Sequence, residues 1–310
     1  MTKAVRVPDA FEDPGWVWDL VRKHAPYSLM TSLAGYEGFQ GLTSPWFRAH
    51  WALDGHEVVD GTGALLPNER FIAASRAISG SQVVRPMSVL VNLMCPMASG
   101  EVAHVDTALF RGLRRGTFPT WLLVIMAASG LFEAWRLSTS GAITWFYDGP
   151  GGDYEYWPDG PDGPVEREPS PFGNVAVVAD NDRMYHRVSD VGRPDEWLAD
   201  GAVPQDAQLC AADDGGWLIV DGHGDALHRY PPGTVRVSLL WKAIVSEGDL
   251  HDASLDEQRD GLTVDQVVEV FVRDLDGRGL PITRPRDAFL DRDWQQALWE
   301  AYPLGAPRSS

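Results

Sequence analysis

The sequence predicts a mainly β fold with flanking helices, on three observations. Between about residues 83 and 245, runs rich in β-branched and aromatic residues recur, separated by turns dense in Gly, Pro and Asp. Outside that span the apolar residues fall at helical spacing: Trp16, Val17, Leu20 and Val21 near one end, Val264, Val267, Val268 and Phe271 near the other. A chain of 310 residues with 44% apolar content is large enough for one sizeable core, and no internal repeat or low-complexity tract divides it.

Taken in order, residues 12–30 read as an amphipathic helix that starts at Pro14. Residues 32–68 are irregular and carry Tyr36, Phe39, Trp46, Phe47 and Trp51, rings that either wall a small-molecule pocket or cap a core. A helix is expected over 69–78. The apolar run 83–95 suits a strand buried on both faces. Asn92 interrupts it, and a buried amide must be hydrogen-bonded, so Asn92 either ties strands together or faces a cavity and touches a co-substrate.

Residues 119–130 open on Pro and close on Gly, which predicts a short buried helix. Residues 132–137 and 142–147 look like two arms of a hairpin around Ser-Thr-Ser-Gly. The Gly-, Pro- and Asp-rich stretch 148–172, holding Tyr154, Tyr156 and Trp157, is expected to be a long loop that acts as a lid. Residues 174–188 read as strand, tight polar turn, strand; 190–228 as an insertion; 217–220, 226–230 and 234–245 as further strands. Towards the C-terminus, Ser254-Leu-Asp-Glu257 and Thr263-Val-Asp-Gln266 fit the capping-box pattern, and a last helix is expected over 286–302. These helices would buttress the β core or form a homodimer interface.

The chemistry centres on His104 and Asp106. Residues i and i+2 of a strand point to one face, roughly 7 Å apart, so an imidazole and a carboxylate at this spacing can reach one metal ion. His186, delivered by the second strand of 174–188, adds another imidazole. Two histidines and one carboxylate form the facial triad that suits non-haem Fe(II) and leaves coordination positions open. His228 is the runner-up to His186, but Pro231 and Pro232 follow it closely, and His223-Gly-Asp225 sits in a Gly-rich turn that reads as a hairpin tip. The basic cluster Arg111, Arg114 and Arg115 is either a solvated loop or a grip for an anionic substrate group.

The order His104-x-Asp106, a long gap, His186, then Arg236-Val-Ser238 in a late apolar run resembles the Fe(II)/2-oxoglutarate-dependent oxygenases. The resemblance covers roughly residues 84 to 245. It implies a double-stranded β-helix, a jelly roll of cupin-like type, over 81–246, set between an N-terminal helical and loop segment (1–80) and C-terminal helices (247–310). It further implies that His104, Asp106 and His186 hold the iron, that Arg236 pairs with the distal carboxylate of 2-oxoglutarate, and that Ser238 hydrogen-bonds it; Asn92 would join them. Arg111, Arg114 and Trp157 are the candidates for touching substrate. The implied reaction uses O2 to oxidise a C–H bond of a small molecule, by hydroxylation, desaturation or cyclisation. Three alternatives keep parts of this pattern: an iron oxidase that needs no 2-oxoglutarate, a cupin-type enzyme on another divalent metal, and a non-catalytic jelly-roll binding module.

Composition narrows the ligands. A formal charge of -18 works against nucleic acid, whose binding depends on Lys and Arg neutralising phosphates. No phosphate loop or basic groove is visible, which leaves a free small molecule, amino-acid-derived or of natural-product type, as the expected substrate. The cysteines, Cys95 and Cys210, have no metal-ligand spacing, and neither a secretory leader nor a run of membrane-spanning length is present. The expectation is a cytoplasmic protein with free thiols and no membrane association.

Overall fold

The computed structural model describes residues 3–30, 44–100, 102–113, 118–199, 201–246, 261–280 and 282–305. In chain order these form β1 (Ala4–Pro8), α1 (Pro14–Lys23), β2 (Tyr27–Leu29), β3 (Trp46–Leu53), β4 (His56–Glu57), α2 (Glu69–Ser79) and β5 (Val83–Met94). There follow α3 (Thr120–Ser129), β6 (Thr139–Phe146), β7 (Tyr154–Trp157), β8 (Glu166–Glu168), β9 (Val175–Ala179) and β10 (Tyr185–Val188). The chain continues with β11 (Gln208–Ala211), β12 (Trp217–Val220), β13 (Ala226–Tyr230), β14 (Arg236–Ser246), α4 (Val264–Gly277) and α5 (Arg292–Ala301).

The helices begin where side chains satisfy their exposed amides. Asp13 accepts from Trp16 N at α1, Asn68 from Arg70 and Phe71 N at α2, and Asp291 from Trp294 N at α5. Thr263 and Gln266 close the capping box expected before α4. Helix α3 is apolar nearly all round, and it is buried: Leu122, Leu123, Ile125 and Met126 pack with Val267, Val268 and Phe271 of α4 and Trp294 and Leu298 of α5. The C-terminal helices thus share a core of their own with α3.

The strands form an antiparallel sheet in the order β1-β9-β6-β14-β5-β3-β2-β11-β12-β13, with β4 on β3, and a second sheet in the order β10-β7-β8. An isolated bridge between His104 and His186 adds residues around 104 to the outer edge of β10. Successive segments β5, the 104 strip, β6, β7, β8, β9, β10 and β14 therefore distribute into two four-membered sheets, β9-β6-β14-β5 and 104-β10-β7-β8. That is the double-stranded β-helix. Met94, Ile143, Trp145 and Val177 of the larger sheet pack with Tyr154 and Tyr156 of the smaller, Trp145 lying 5.3 Å from Tyr154 between ring centroids. The outer face of the larger sheet is covered by α1 and α2, where Phe71 meets Trp241 edge-on.

Several expectations change. Residues 132–137 are not a hairpin arm: Glu133–Trp135 is a 3-10 turn, and the expected turn residues belong to β6, which pairs with β14 and β9. The stretch 148–172 is not a lid loop, because it contains β7 and β8, with Tyr154 and Tyr156 of β7 facing the core between the sheets. The N-terminal segment supplies β1 to β4 instead of helix and loop alone, and Tyr27–Leu29 ends the first helix early by joining the sheet. The 190–228 stretch adds β11 and β12 beyond β2, outside the eight-segment core. The last helix is shorter than expected. Tyr36, Phe39, Arg114, Arg115 and the Ser254 capping box lie outside the described residues. Among the described residues no helix is long and apolar enough to cross a membrane, and Cys95 and Cys210 are free thiols.

Candidate metal centre

Strand β9 ends at Ala179, and a polar turn carries the chain from the larger sheet to the smaller. The turn is closed by Met184 N and Arg183 N donating to Asp180 O, at 2.8 and 3.1 Å, and by Asp182 N donating to the Asp180 carboxylate at 3.1 Å. It delivers His186 into β10. There His186 and His104 exchange backbone hydrogen bonds, 2.9 Å and 3.0 Å, so both side chains project from one face of the smaller sheet. Their ring centroids are 4.6 Å apart. Asp106, two residues on, is fastened to the same turn through its amide, which donates to Asn181 O at 2.8 Å.

The donor atoms of His104, Asp106 and His186 all lie within 4.8 Å of one another, with Asp106 Oδ1 at 3.8 Å from His186 Nε2. One ion with ligand bonds near 2.1 Å bridges donors up to about 4.2 Å apart, a limit that the 3.8 Å between Asp106 Oδ1 and His186 Nε2 meets. The tautomers agree with that use. Nδ1 of His104 lies 3.2 Å from Val102 O, and Nδ1 of His186 lies 3.0 Å from Met184 O. Each Nδ1–H donates to its carbonyl, which leaves Nε2 as the lone-pair donor of each ring. Two neutral imidazoles and a carboxylate are a donor set for a divalent first-row metal.

The opposite wall comes from the larger sheet. The register places Arg48, Asn92, Ser238 and Trp145 side by side across β3, β5, β14 and β6, and Trp46, Met94 and Arg236 in the neighbouring row. Cross-strand partners share a face, so both rows look towards the triad. Between the walls lies a cavity of about 80 Å³. Arg236 is 1% exposed, its Nε donates to Gly152 O at 2.6 Å, and its guanidinium lies 5.5 Å from the Phe172 ring centroid. Ser238 follows it on the same face. The Asn92 carbonyl oxygen accepts from Arg48 Nε at 2.5 Å and Trp46 Nε1 at 3.2 Å. Tyr154 stands beside the triad, 5.7 Å from the His186 ring.

Charge behind the turn is also arranged. Asp182 is buried, accepts from Thr139 Oγ1 at 2.9 Å and pairs with Lys242. The Asp180 carboxyl is pushed up to about 6 by its burial and by repulsion from Asp182.

Of the residues singled out from the sequence, His104, Asp106, His186, Arg236, Ser238 and Asn92 line this one cavity. Trp157 does not: alternation along β7 turns Tyr154 and Tyr156 inward and Trp157 to the other face, where Arg187 stacks on it at 5.6 Å. Arg111 is away from the cavity as well, donating to Ala134 O at 2.8 Å and carrying Leu262 N on its own carbonyl. His228 lies on β13 at the far edge of the larger sheet, and His223 and Asp225 are exposed at a hairpin tip. Sequence reasoning missed Arg48 and Tyr154. The alternation of Trp46, Arg48 and His50 on one face of β3 was the available signal for the first.

No protein-family model and no curated protein sequence matches this chain. Among solved structures it is similar to an oxidoreductase of the 2OG-Fe(II) oxygenase family from Burkholderia pseudomallei, at 13% identity and a TM-score of 0.40 over 79% of this chain and 85% of that one. It is similar to a Trichoplax adhaerens prolyl hydroxylase in complex with a hypoxia inducible factor peptide fragment, at 10% identity and a TM-score of 0.41 over 78% and 83% of the two chains. HygX from Streptomyces hygroscopicus, with nickel, 2-oxoglutarate and hygromycin B bound, is 10% identical with a TM-score of 0.38 over 86% and 90%. At such identities and scores, a functional reading has to stand on this chain's own side chains.

Proposed function

We propose that this protein is a non-haem Fe(II)- and 2-oxoglutarate-dependent oxygenase that oxidises a C–H bond of a small molecule. One observation carries the reading: His104, Asp106 and His186, drawn from segments 80 residues apart, converge their donor atoms within 4.8 Å, with both Nδ1 atoms already engaged by backbone carbonyls. His104, Asp106 and His186 would hold the iron. Bound there, iron and the keto acid supply the oxidising power, O2 being reduced as 2-oxoglutarate is converted to succinate and CO2.

The remaining roles belong to the chain. Arg236 binds the distal carboxylate of the keto acid through a charge-assisted pair, and Ser238 adds a hydroxyl on the same face of β14. The carbonyl of Gly152 and the Phe172 ring fix the guanidinium, so little side-chain freedom is lost on binding. Asn92 stands between the co-substrate and β3. Trp145, Tyr154, Met94 and Leu240 form apolar walls that keep water from the reacting centre.

The test is the co-substrate requirement. Protein purified without chelators or affinity metals, then supplied with Fe(II), O2 and 2-oxoglutarate, should convert keto acid to succinate. Conversion should stop when Zn(II) replaces Fe(II) and in Asp106→Ala. Iron-dependent O2 uptake that continues without 2-oxoglutarate would favour an oxidase, and absence of any metal dependence would remove the reading.

A further inference from the structure

We propose that the cavity beneath the start of α1 binds a small organic cation with an apolar body, at a site separate from the metal centre. The inference is independent of the oxygenase reading.

The site lies where three strands of the larger sheet meet at one end. Strand β6 pairs with β9 only as far as Thr144, and beyond it the chain continues through Phe146 to Asp148; β9 begins just after Asn174 and β14 just after Val235. Helix α1, which starts at Pro14, lies over this end. The space between them is a cavity of about 320 Å³ whose lining includes Pro14, Trp18, Phe146, Asp148 and Val235. That is the size at which small-molecule pockets begin, against about 80 Å³ at the triad.

Alternation along β6 separates the two cavities. Trp145 turns between the sheets, where its ring stacks on Phe172 at 4.7 Å, and Phe146 turns to the outer face, where its ring lies 5.9 Å from Trp18 and 6.3 Å from Phe11. Trp145 borders both cavities, so β6 is the wall between them. The Trp18 and Phe146 rings are only half-buried, although Val17, Trp145 and Trp217 beside them are buried. Indole and phenyl rings open to a cavity attract a cation through their quadrupole, Trp most strongly.

Asp148 supplies the charge. It is exposed, it is the single charged residue among the described residues of the lining, and it makes no ion pair or hydrogen bond among the described residues. Other polar groups of the lining are occupied. Asn174 accepts from Phe11 N at 3.0 Å and donates to Phe11 O at 2.6 Å, and the Tyr147 hydroxyl donates to Pro150 O at 2.8 Å. The anion that the start of α1 attracts is supplied within the chain by Asp13, which accepts from Trp16 N at 3.0 Å. The cavity thus offers one carboxylate beside two aromatic rings, in a chain whose charge of -18 draws cations towards it.

The experiment uses the full chain in Zn(II). Saturation-transfer NMR would follow phenethylammonium, phenethyl alcohol and phenylacetate, probes of similar shape and different charge. The cation should respond saturably, the alcohol more weakly, and the acid should not respond. In Asp148→Asn the midpoint for the cation should rise about threefold, as for loss of a solvent-exposed ion pair. Trp18→Leu keeps the wall apolar but removes the ring, and should raise the midpoint by a similar factor. Raising the ionic strength should weaken cation binding more in wild type than in Asp148→Asn. Circular dichroism checks folding; were Trp18→Leu unfolded, Asp148→Asn and the charge series decide alone. Cation and alcohol binding equally, no response to the cation, or a midpoint unmoved in Asp148→Asn would overturn the proposal. So would a rise in Asp106→Ala as large as in Asp148→Asn, which would place the cation at the triad.

Discussion

His104 and His186 face each other across a single antiparallel bridge, their amides and carbonyls paired at 3.0 and 2.9 Å and their rings 4.6 Å apart. The backbone itself sets the spacing of two metal donors, and each ring is locked by the carbonyl two residues before it. Loss of one ring leaves the other rigid but without its partner. His186→Ala should lower Fe(II) affinity by about 100-fold or more, since even removal of outer supports to metal ligands costs 10–100-fold. Equilibrium dialysis with Fe(II) under argon measures it, and stoichiometric iron in the variant at micromolar metal would contradict the site.

Gly152 is required by Arg236. Its φ is +68°, and a Cβ there would sit 2.8 Å from Arg236 Cδ, while its carbonyl accepts from Arg236 Nε. Gly152→Ala should lower stability by about 1 kcal/mol for the left-handed backbone. It should also weaken keto-acid binding roughly tenfold by displacing the guanidinium, an effect on the order of one charge-assisted hydrogen bond. Urea denaturation and the 2-oxoglutarate midpoint read the two effects separately.

The pair of Asp182 and Lys242 is buried beneath the turn that presents Asp106 and His186. Removing one charge strands the other, so Asp182→Ala should cost about 3–5 kcal/mol in chemical denaturation. The double replacement Asp182→Leu with Lys242→Met should cost less than Asp182→Ala alone. Equal costs would mean that the ion pair is not the source of the loss.

Asp180 gives stability a pH dependence of known sign. Its carboxyl is raised to about 6 by burial and by Asp182, against 3.8 ordinarily, so the folded protein holds this proton more tightly than the unfolded chain. The contribution is complete below about pH 4 and is lost as pH rises through 6, a change of at most about 3 kcal/mol at 1.36 kcal/mol per pH unit. Asp180→Asn keeps the Oδ1 acceptor for Asp182 N and removes the titration. Relative to the variant, wild type should lose stability between pH 4 and 7 in urea titrations; parallel curves would refute the assignment.

Much of the site was legible because its signals are local. The i, i+2 spacing of His104 and Asp106 survives although that segment makes only a bridge and not a regular strand. His186 could be preferred to His228 from its preceding apolar strand, and the structure puts His228 at the opposite edge of the sheet. Arg48 was hidden, because its tie to Asn92 depends on pairing between strands about 40 residues apart, which no local pattern records. Strand β7 was obscured by the Gly, Pro and Asp residues on both sides of Tyr154–Trp157, and the false hairpin arose because, of two apolar runs close in sequence, the first folds as a 3-10 turn and the second pairs with β14 and β9. The helices at the ends were legible from apolar residues at helical spacing and, for α4, from the Thr263 capping box, which are local signals; their shared core with α3 was not.

The central claim is that the triad and Arg236 together bind iron and keto acid, and an anaerobic titration tests it most directly. The metal-free protein is given Fe(II) and then 2-oxoglutarate while the visible charge-transfer absorption of a chelated keto acid is followed, with His186→Ala and Arg236→Met beside wild type. The account predicts a saturable band in wild type, no band without His186, and a midpoint raised about 10- to 100-fold without Arg236, as for a lost charge-assisted pair. Iron binding without a band in wild type, or a band indifferent to both substitutions, would contradict it.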